Sequence, residues 1–329
     1  APSFTKSFLN NHSHDLAKQL LLAREYDKSK NTFMDGMLKH VGKDGRIHGH
    51  INQIRSDDGG TVSGRISMSN PNLQQIPARH PELGPMIRSI FLPEEGERWA
   101  SIDYSQQEPR ILVHFASLYQ KHTGIEMPKV EEFVDGYTNN PDMDFHTMVA
   151  DMADIPRKQA KTINLGMMYG MGVGKLADQL DLGKDEAKDL TEQYDKKVPF
   201  VKKLMRVVQD RVQNGNAEGS IRSLLGRKCR FPLFEPRSFG MHKAMPLEEA
   251  KAHYGPSVSL QRAYAYKALN RLIQASAADM TKKAMVDLYK SGTTPLLQVH
   301  DELAFSVQSE DTAKGLARIM ESGIDLEVP

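Results

Sequence analysis

A single cysteine, Cys229, stands in 329 residues, so no internal disulfide forms and no thiolate metal cluster is available. A reducing compartment is the expected setting. No apolar run approaches the roughly 20 residues that a membrane span requires, and the N-terminus carries no signal-peptide pattern. Internal repeats and low-complexity tracts are missing too, which sets aside solenoids and fibrous architectures. Nor does charge of one sign dominate: the net is +1 at pH 7, and bulk electrostatics name no partner. What remains is an ordinary globular profile, 39% apolar and 26% charged, long enough for about two domains with a sizeable buried core.

Charge is unevenly distributed. Residues 196–230 hold ten basic residues (Lys196, Lys197, Lys202, Lys203, Arg206, Arg211, Arg222, Arg227, Lys228, Arg230) against Asp210 and Glu218. Residues 126–154 hold eight acids against Lys129. The basic block suits a phosphate backbone, although charge alone describes a solvated helix face as well.

Hydrophobic spacing gives a coarse element order. Residues 7–40 read as helical, and 41–77 as strands and loops rich in Gly, Ser, Asn and Pro. Residues 99–103 read as a short buried strand ending in Asp103, and 105–120 as a helix. Residues 121–145 look loop-rich, 146–230 mostly helical with a start signal at Pro156, and 232–258 insertion-like. A long helix is expected over 260–290, an apolar hairpin over 296–305 and a last helix over 310–322. Separate helical blocks with a few strands argue for an α+β chain.

Two acids sit where strands end. Asp103 follows Trp99–Ile102, and Asp301 occupies the turn between two apolar strands with Glu302 beside it. An acid so placed is held rigidly and exposed, as a ligand of a hard divalent cation must be; taken singly, each is also good turn chemistry. Arg157 and Lys161, four apart, share one helix face. Leu165 occupies the next turn instead of an acid, so this face looks prepared for an external anion. His146 is a further candidate donor. Carboxylates holding paired cations, together with basic groups for a polyphosphate, are what phosphoryl transfer to a hydroxyl needs.

These pieces fall into a known order. Asp103-Tyr-Ser-Gln-Gln-Glu-Pro-Arg110 resembles motif A of family A DNA polymerases, Arg157–Gly170 resembles the R-x3-K-x7-Y-G helix of motif B, and Gln298-Val-His-Asp-Glu302 is similar to motif C. Ser63-Gly64-Arg65 through Pro71–Pro77, and Ala268–Gln274, match two further blocks. All five stand in family order from residue 63 to 302. The glutamine-rich motif A has the look of phage members.

The resemblance implies a template-directed polymerase that extends a primer with dNTPs and releases pyrophosphate. Asp103 and Asp301, with the Tyr104 carbonyl, would hold two Mg²⁺ ions, with Mn²⁺ as a possible substitute; Glu302 would be secondary. Arg157, Lys161 and His146 would hold the triphosphate, and Tyr169 would stack near a base. Glu108 would block a 2′-hydroxyl. Arg65, Asn72, Gln74, Asn270, Gln274 and His300 would meet the minor-groove edge of the primer–template, where acceptors common to all pairs test shape rather than sequence. The implied architecture is a right hand with palm over 41–115 and 263–329, helical fingers over 116–262, and only a thumb base over 1–40. Nothing before residue 63 supplies exonuclease acids, and members usually continue beyond Pro329, so a fragment without 3′–5′ exonuclease is expected. Its partners would be primer–template DNA and dNTPs in a bacterial or phage-infected cytoplasm. No membrane is involved, and processivity, helicase or primase partners are left open.

Two departures stand out. Leu165 occupies the place where the family usually has Phe or Tyr against the sugar, and Tyr266 replaces an Arg that some members carry, with Lys267 beside it. The rival readings are a single-subunit RNA polymerase and a non-catalytic DNA-binding module. Glu108 argues against the first, since an RNA polymerase must admit the 2′-hydroxyl. Retention of Asp103, Asp301, Arg157 and Lys161 together argues against the second.

Overall fold

The computed structural model describes residues 4–329 except 58, 78–79, 216–217 and 239. In chain order come α1 (Lys6–Asn10), α2 (Asp15–Lys28), α3 (Asp35–Leu38), β1 (His50–Asn52), β2 (Ser67–Ser69), α4 (Leu83–Arg88), β3 (Arg98–Asp103) and α5 (Gln107–Thr123). Next are α6 (Val130–Asn139), α7 (Phe145–Ala153), α8 (Arg157–Met168), α9 (Val173–Leu180), α10 (Lys184–Lys197) and α11 (Pro199–Asp210). Then follow β4 (Ser220–Arg222), β5 (Lys228–Arg230), β6 (Leu233–Pro236), β7 (Met245–Pro246), α12 (Leu247–Tyr254) and β8 (Leu260–Arg262). The chain closes with α13 (Ala268–Lys290), β9 (Leu297–Val299), β10 (Glu302–Val307) and α14 (Glu310–Glu321). This is the α+β class that the element order implied.

The chain divides into two compact units. The first comprises residues up to 61, 66–101 and 295–313; the second comprises 62–65, 102–294 and 314–329. In the first, β1 pairs antiparallel with β2, and a three-stranded sheet runs in the order β3-β10-β9. Its small core gathers Phe33, Met37, Met68, Leu73, Leu83 and Ile87.

The second unit has a large helical core in which Ile111, Phe133, Phe145, Ile163, Phe200 and Ile273 are completely buried. The Phe133 ring centroid lies 5.1 Å from that of Phe145 and 5.2 Å from that of Phe200. Each such side chain contributes about 1.5–3 kcal/mol by leaving water. The C-terminal residues dress α5: the Glu327 amide donates to Nδ1 of His114 at 3.0 Å, and Arg110 donates to the Pro329 carbonyl.

Three expectations need correcting. Residues 121–145 are not mainly loop: α6 buries Val130, Phe133 and Tyr137, an i, i+3, i+7 stripe that the acids between them obscured. Residues 220–230 are not helical but a hairpin, with Ile221 opposite Cys229 and Gly226 at φ 80° in its turn. The long helix begins at Ala268 rather than 260, because Leu260–Arg262 pairs with β6 and Tyr264 at φ 60° interrupts the chain.

Candidate active site

The first unit carries the acidic turn. Val299 pairs with Glu302, so β9 and β10 are joined by the two residues His300 and Asp301. His300 takes the left-handed region, φ 58°, as the first residue of tight hairpin loops often does. A side chain braces this turn: Gln298, only 5% exposed, donates from Nε2 to the His300 carbonyl at 2.6 Å. Its Oε1 accepts from Gln74 at 2.8 Å. Asp301 therefore sits in a turn held from both sides. Glu302 is engaged by the Ser101 hydroxyl. In the same sheet β3 runs out of the first unit and ends on the exposed Asp103.

The second unit assembles the basic and sugar-facing candidates. On α8, Arg157 and Lys161 are exposed, while Leu165 and, at the C-cap, Tyr169 are half-buried along the same four-residue spacing. Ala160 and Ile163, on the far side of the helix, are completely buried in the core. Gly170 ends this run at φ 68°; a Cβ there would approach the Tyr266 carbonyl to 2.9 Å, so the site of one departure from the family pattern is packed directly under the motif.

Glu108, in the first turn of α5, is fixed at both oxygens. Arg65 pairs with Oε1, and the Tyr169 hydroxyl donates to Oε2 at 2.6 Å. Burial, and then the Glu108 charge, push the Tyr169 phenol well above its usual range, so it stays a donor; Gln274 also reaches that hydroxyl.

His146 is buried on α7, where Nδ1 faces Nδ2 of Asn164 at 2.9 Å. Burial above all holds the imidazole below its ordinary value; Asp144 pulls it back up, and Lys161 and Arg157 add to the lowering. His146, Arg157 and Lys161 thus lie close enough to feel one another's charge. His146 enters this group as a neutral ring.

Several candidates are placed otherwise than their spacing suggested. Arg157 is not left waiting for an external anion: Asp144 pairs with it. Burial raises the Asp144 carboxyl, but the Arg157 hydrogen bond and the Thr147 amide outweigh it and bring the group below its usual range. Lys161 makes no ion pair among the described residues. Arg65 is engaged by Glu108, Gln74 is bonded to Gln298, and Asn72 caps a short turn by accepting from the Gln74 amide at 3.1 Å. Asn270 and Gln274 are half-buried on α13, and His300 is exposed. Tyr104 donates its hydroxyl to the Met320 carbonyl at 2.9 Å.

Four residues escaped the sequence reading. Asp144 carried a legible signal, since an aspartate before an apolar run is a favoured N-cap, and its Oδ1 accepts from the Thr147 amide at 2.8 Å. Gln106 accepts from the Phe145 amide and donates to the Met143 carbonyl, both at 2.7 Å, which ties motif A to the start of α7. Neither it, Asn164 nor Gln298 has a local pattern to betray its role.

A sequence model of DNA polymerase family A matches residues 2–329. The DNA-directed DNA polymerase of Pseudomonas phage M6 is 38% identical over 370 residues, which is 100% of this chain and 52% of that protein. The thermostable DNA polymerase I of Thermus aquaticus is 32% identical over 336 residues, 96% of this chain and 35% of that protein. The chain thus spans about half the length of the phage relative. Among solved structures, the POL domain of Pol1 from M. smegmatis, in complex with DNA primer-template and dNTP, superposes with a TM-score of 0.76. It is 31% identical, with 98% of this chain and 53% of that one covered. With its five motifs in order on an α+β scaffold, the chain belongs to DNA polymerase family A.

Proposed function

We propose that the chain carries out template-directed DNA synthesis, adding dNTPs to a primer 3′ end. The observation that carries the reading is that Arg157 bonds Asp144 and Thr147 at the start of α7 while Asn164 of α8 meets His146, which brings a neutral imidazole and an arginine together near the exposed Lys161. Membership of the family and the primer-template and dNTP held by the M. smegmatis relative support it.

In this reading Asp103, Asp301 and the Tyr104 carbonyl hold two divalent ions. Their chemistry fits: hard oxygen donors suit Mg²⁺, which keeps open positions for substrate oxygens. Among the described residues no group of three or more His, Cys, Asp or Glu is placed to hold a metal ion, and the set proposed is two aspartates and one backbone carbonyl. The bound ions would polarise the primer hydroxyl and neutralise developing charge. The protein's own share is positioning. The Gln298 brace fixes the turn that presents Asp301. Lys161 and Arg157 give positive charge to the triphosphate, and His146 gives an N–H where charge builds on the leaving pyrophosphate. Glu108, pinned by Arg65 and Tyr169, fills the space beside the sugar C2′. Asn270, Gln274 and His300 meet the primer–template end, with Arg65, Asn72 and Gln74 supporting the residues that do. Palm over 41–115 and 263–329 and fingers over 116–262 complete the reading, which assigns this chain no 3′–5′ exonuclease.

Primer extension on a primed template, with Mg²⁺ present or chelated and with dNTPs against rNTPs, tests it. Metal-dependent extension with dNTPs is expected; preferential use of rNTPs would return the RNA polymerase reading.

A further inference from the structure

One buried polar pair in the second unit has a consequence for catalysis. Asn164 is completely buried on α8, yet its Oδ1 has no hydrogen-bond partner. A buried amide oxygen left unpaired is destabilising, and an apolar side chain of the same shape would avoid that loss. The other end of the amide gives the compensation. Nδ2 lies 2.9 Å from Nδ1 of His146, and an amide nitrogen can only donate. Nδ1 is therefore the acceptor, and the single proton of a neutral imidazole must sit on Nε2. With the opposite tautomer, Nε2 would be a bare lone pair and would repel a phosphate oxygen.

We propose that Asn164 is a positioning residue that fixes His146 as the Nε2–H tautomer, so that the ring presents a donor to an anionic oxygen beside Arg157 and Lys161. The role rests on the triphosphate reading above. The neutral ring that it requires is what burial favours; the charged groups bearing on His146 are Asp144, Lys161 and Arg157. A neutral donor also has a chemical advantage here. It adds a directed hydrogen bond to a site that already holds two cations, and it does not repel them.

The test begins with the unaltered chain. Proton–nitrogen correlation spectra of the histidine rings, with His146 assigned from the His146→Gln spectrum, should show Nε2 protonated and Nδ1 bare near pH 7.5. Protonation at Nδ1 in that spectrum overturns the proposal without any variant. Asn164→Asp keeps the shape but can only accept when ionised, so it should move the proton to Nδ1 and raise the KM for dNTP by about tenfold with a much smaller change in kcat. In a His146→Gln background, where the amide is its own donor, Asn164→Asp should raise KM no further. A merely structural asparagine would cost the same in both backgrounds, and that result sinks the role. An unchanged KM in Asn164→Asp, with KM raised in His146→Ala, overturns the positioning alone. An unchanged KM in both overturns the triphosphate reading and the positioning with it.

Discussion

The Tyr169 hydroxyl donates to one oxygen of Glu108 at 2.6 Å, and Arg65 holds the other. Two residues from distant parts of the sequence thus fix the carboxylate assigned to sugar selection. Glu108→Ala should raise the ratio of rNTP to dNTP incorporation by at least about tenfold, equivalent to ~1.4 kcal/mol in the transition state. Tyr169→Phe, which frees the carboxylate without removing it, should move the ratio the same way by less. Single-nucleotide incorporation kinetics on one template check both, and an unchanged ratio in Glu108→Ala would falsify the assignment.

Asp103→Ala and Asp301→Ala should each reduce extension by about a thousandfold or more, because several kcal/mol of charge stabilisation depends on each ligand. Far-ultraviolet circular dichroism should be unchanged. Glu302→Ala should cost less, since the Ser101 hydroxyl engages that carboxylate. Gln298→Ala should lower kcat while DNA binding persists, because it releases the carbonyl of His300. Near-normal turnover in either aspartate variant removes the metal-site reading.

Lys161→Ala should impair dNTP use far more than primer–template binding, as the exposed lysine of the basic group. For the 196–230 block the structure narrows the choice. Lys202, Arg227 and Lys228 are paired with Asp195, Asp279 and Glu218. Replacing Lys203, Arg206 or Arg230 should therefore weaken DNA binding more than replacing those three. Filter binding across a salt series reads this directly, since each lost phosphate contact flattens the slope by about one unit.

Leu165 lies half-buried between Lys161 and Tyr169 on α8, where its aliphatic side chain has no donor to replace a missing 3′-hydroxyl. The chain should discriminate against dideoxynucleotides, and Leu165→Tyr should raise their relative incorporation at least about tenfold. A ratio of ddNTP to dNTP efficiency that stays put would mean that Leu165 does not face the sugar.

Acidification should destabilise the chain through two buried histidines. Burial holds both His114 and His146 below the ordinary value of 6.5. Below that value the unfolded chain binds protons that the folded chain refuses, so stability is present above it and is lost as pH falls towards the folded values. The melting temperature should drop between pH 7.5 and 5.5, and by less in His114→Gln. A flat profile for the unaltered chain would contradict this account of the two rings.

Local pattern and tertiary pairing determined different parts of this protein. What short-range spacing encodes was legible: the β9–β10 hairpin with Asp301 in its turn, the α8 face shared by Arg157 and Lys161, and the strand ending on Asp103, although that strand, expected to be buried, has no buried residue. Each depends on residues within about one turn or one hairpin, where side-chain direction follows from backbone period. The α6 stripe was equally local and was hidden only by the acids interleaved with it. What the tertiary structure alone decided is which polar groups find one another. Asp144 reaches Arg157 from another helix, Glu108 is held from residues 65 and 169, Gln298 takes Gln74 as its partner, and Asn164 sets the ring of His146. Most buried polar groups find a partner wherever the fold places them, and those pairings join residues far apart in the chain, so no local period records them.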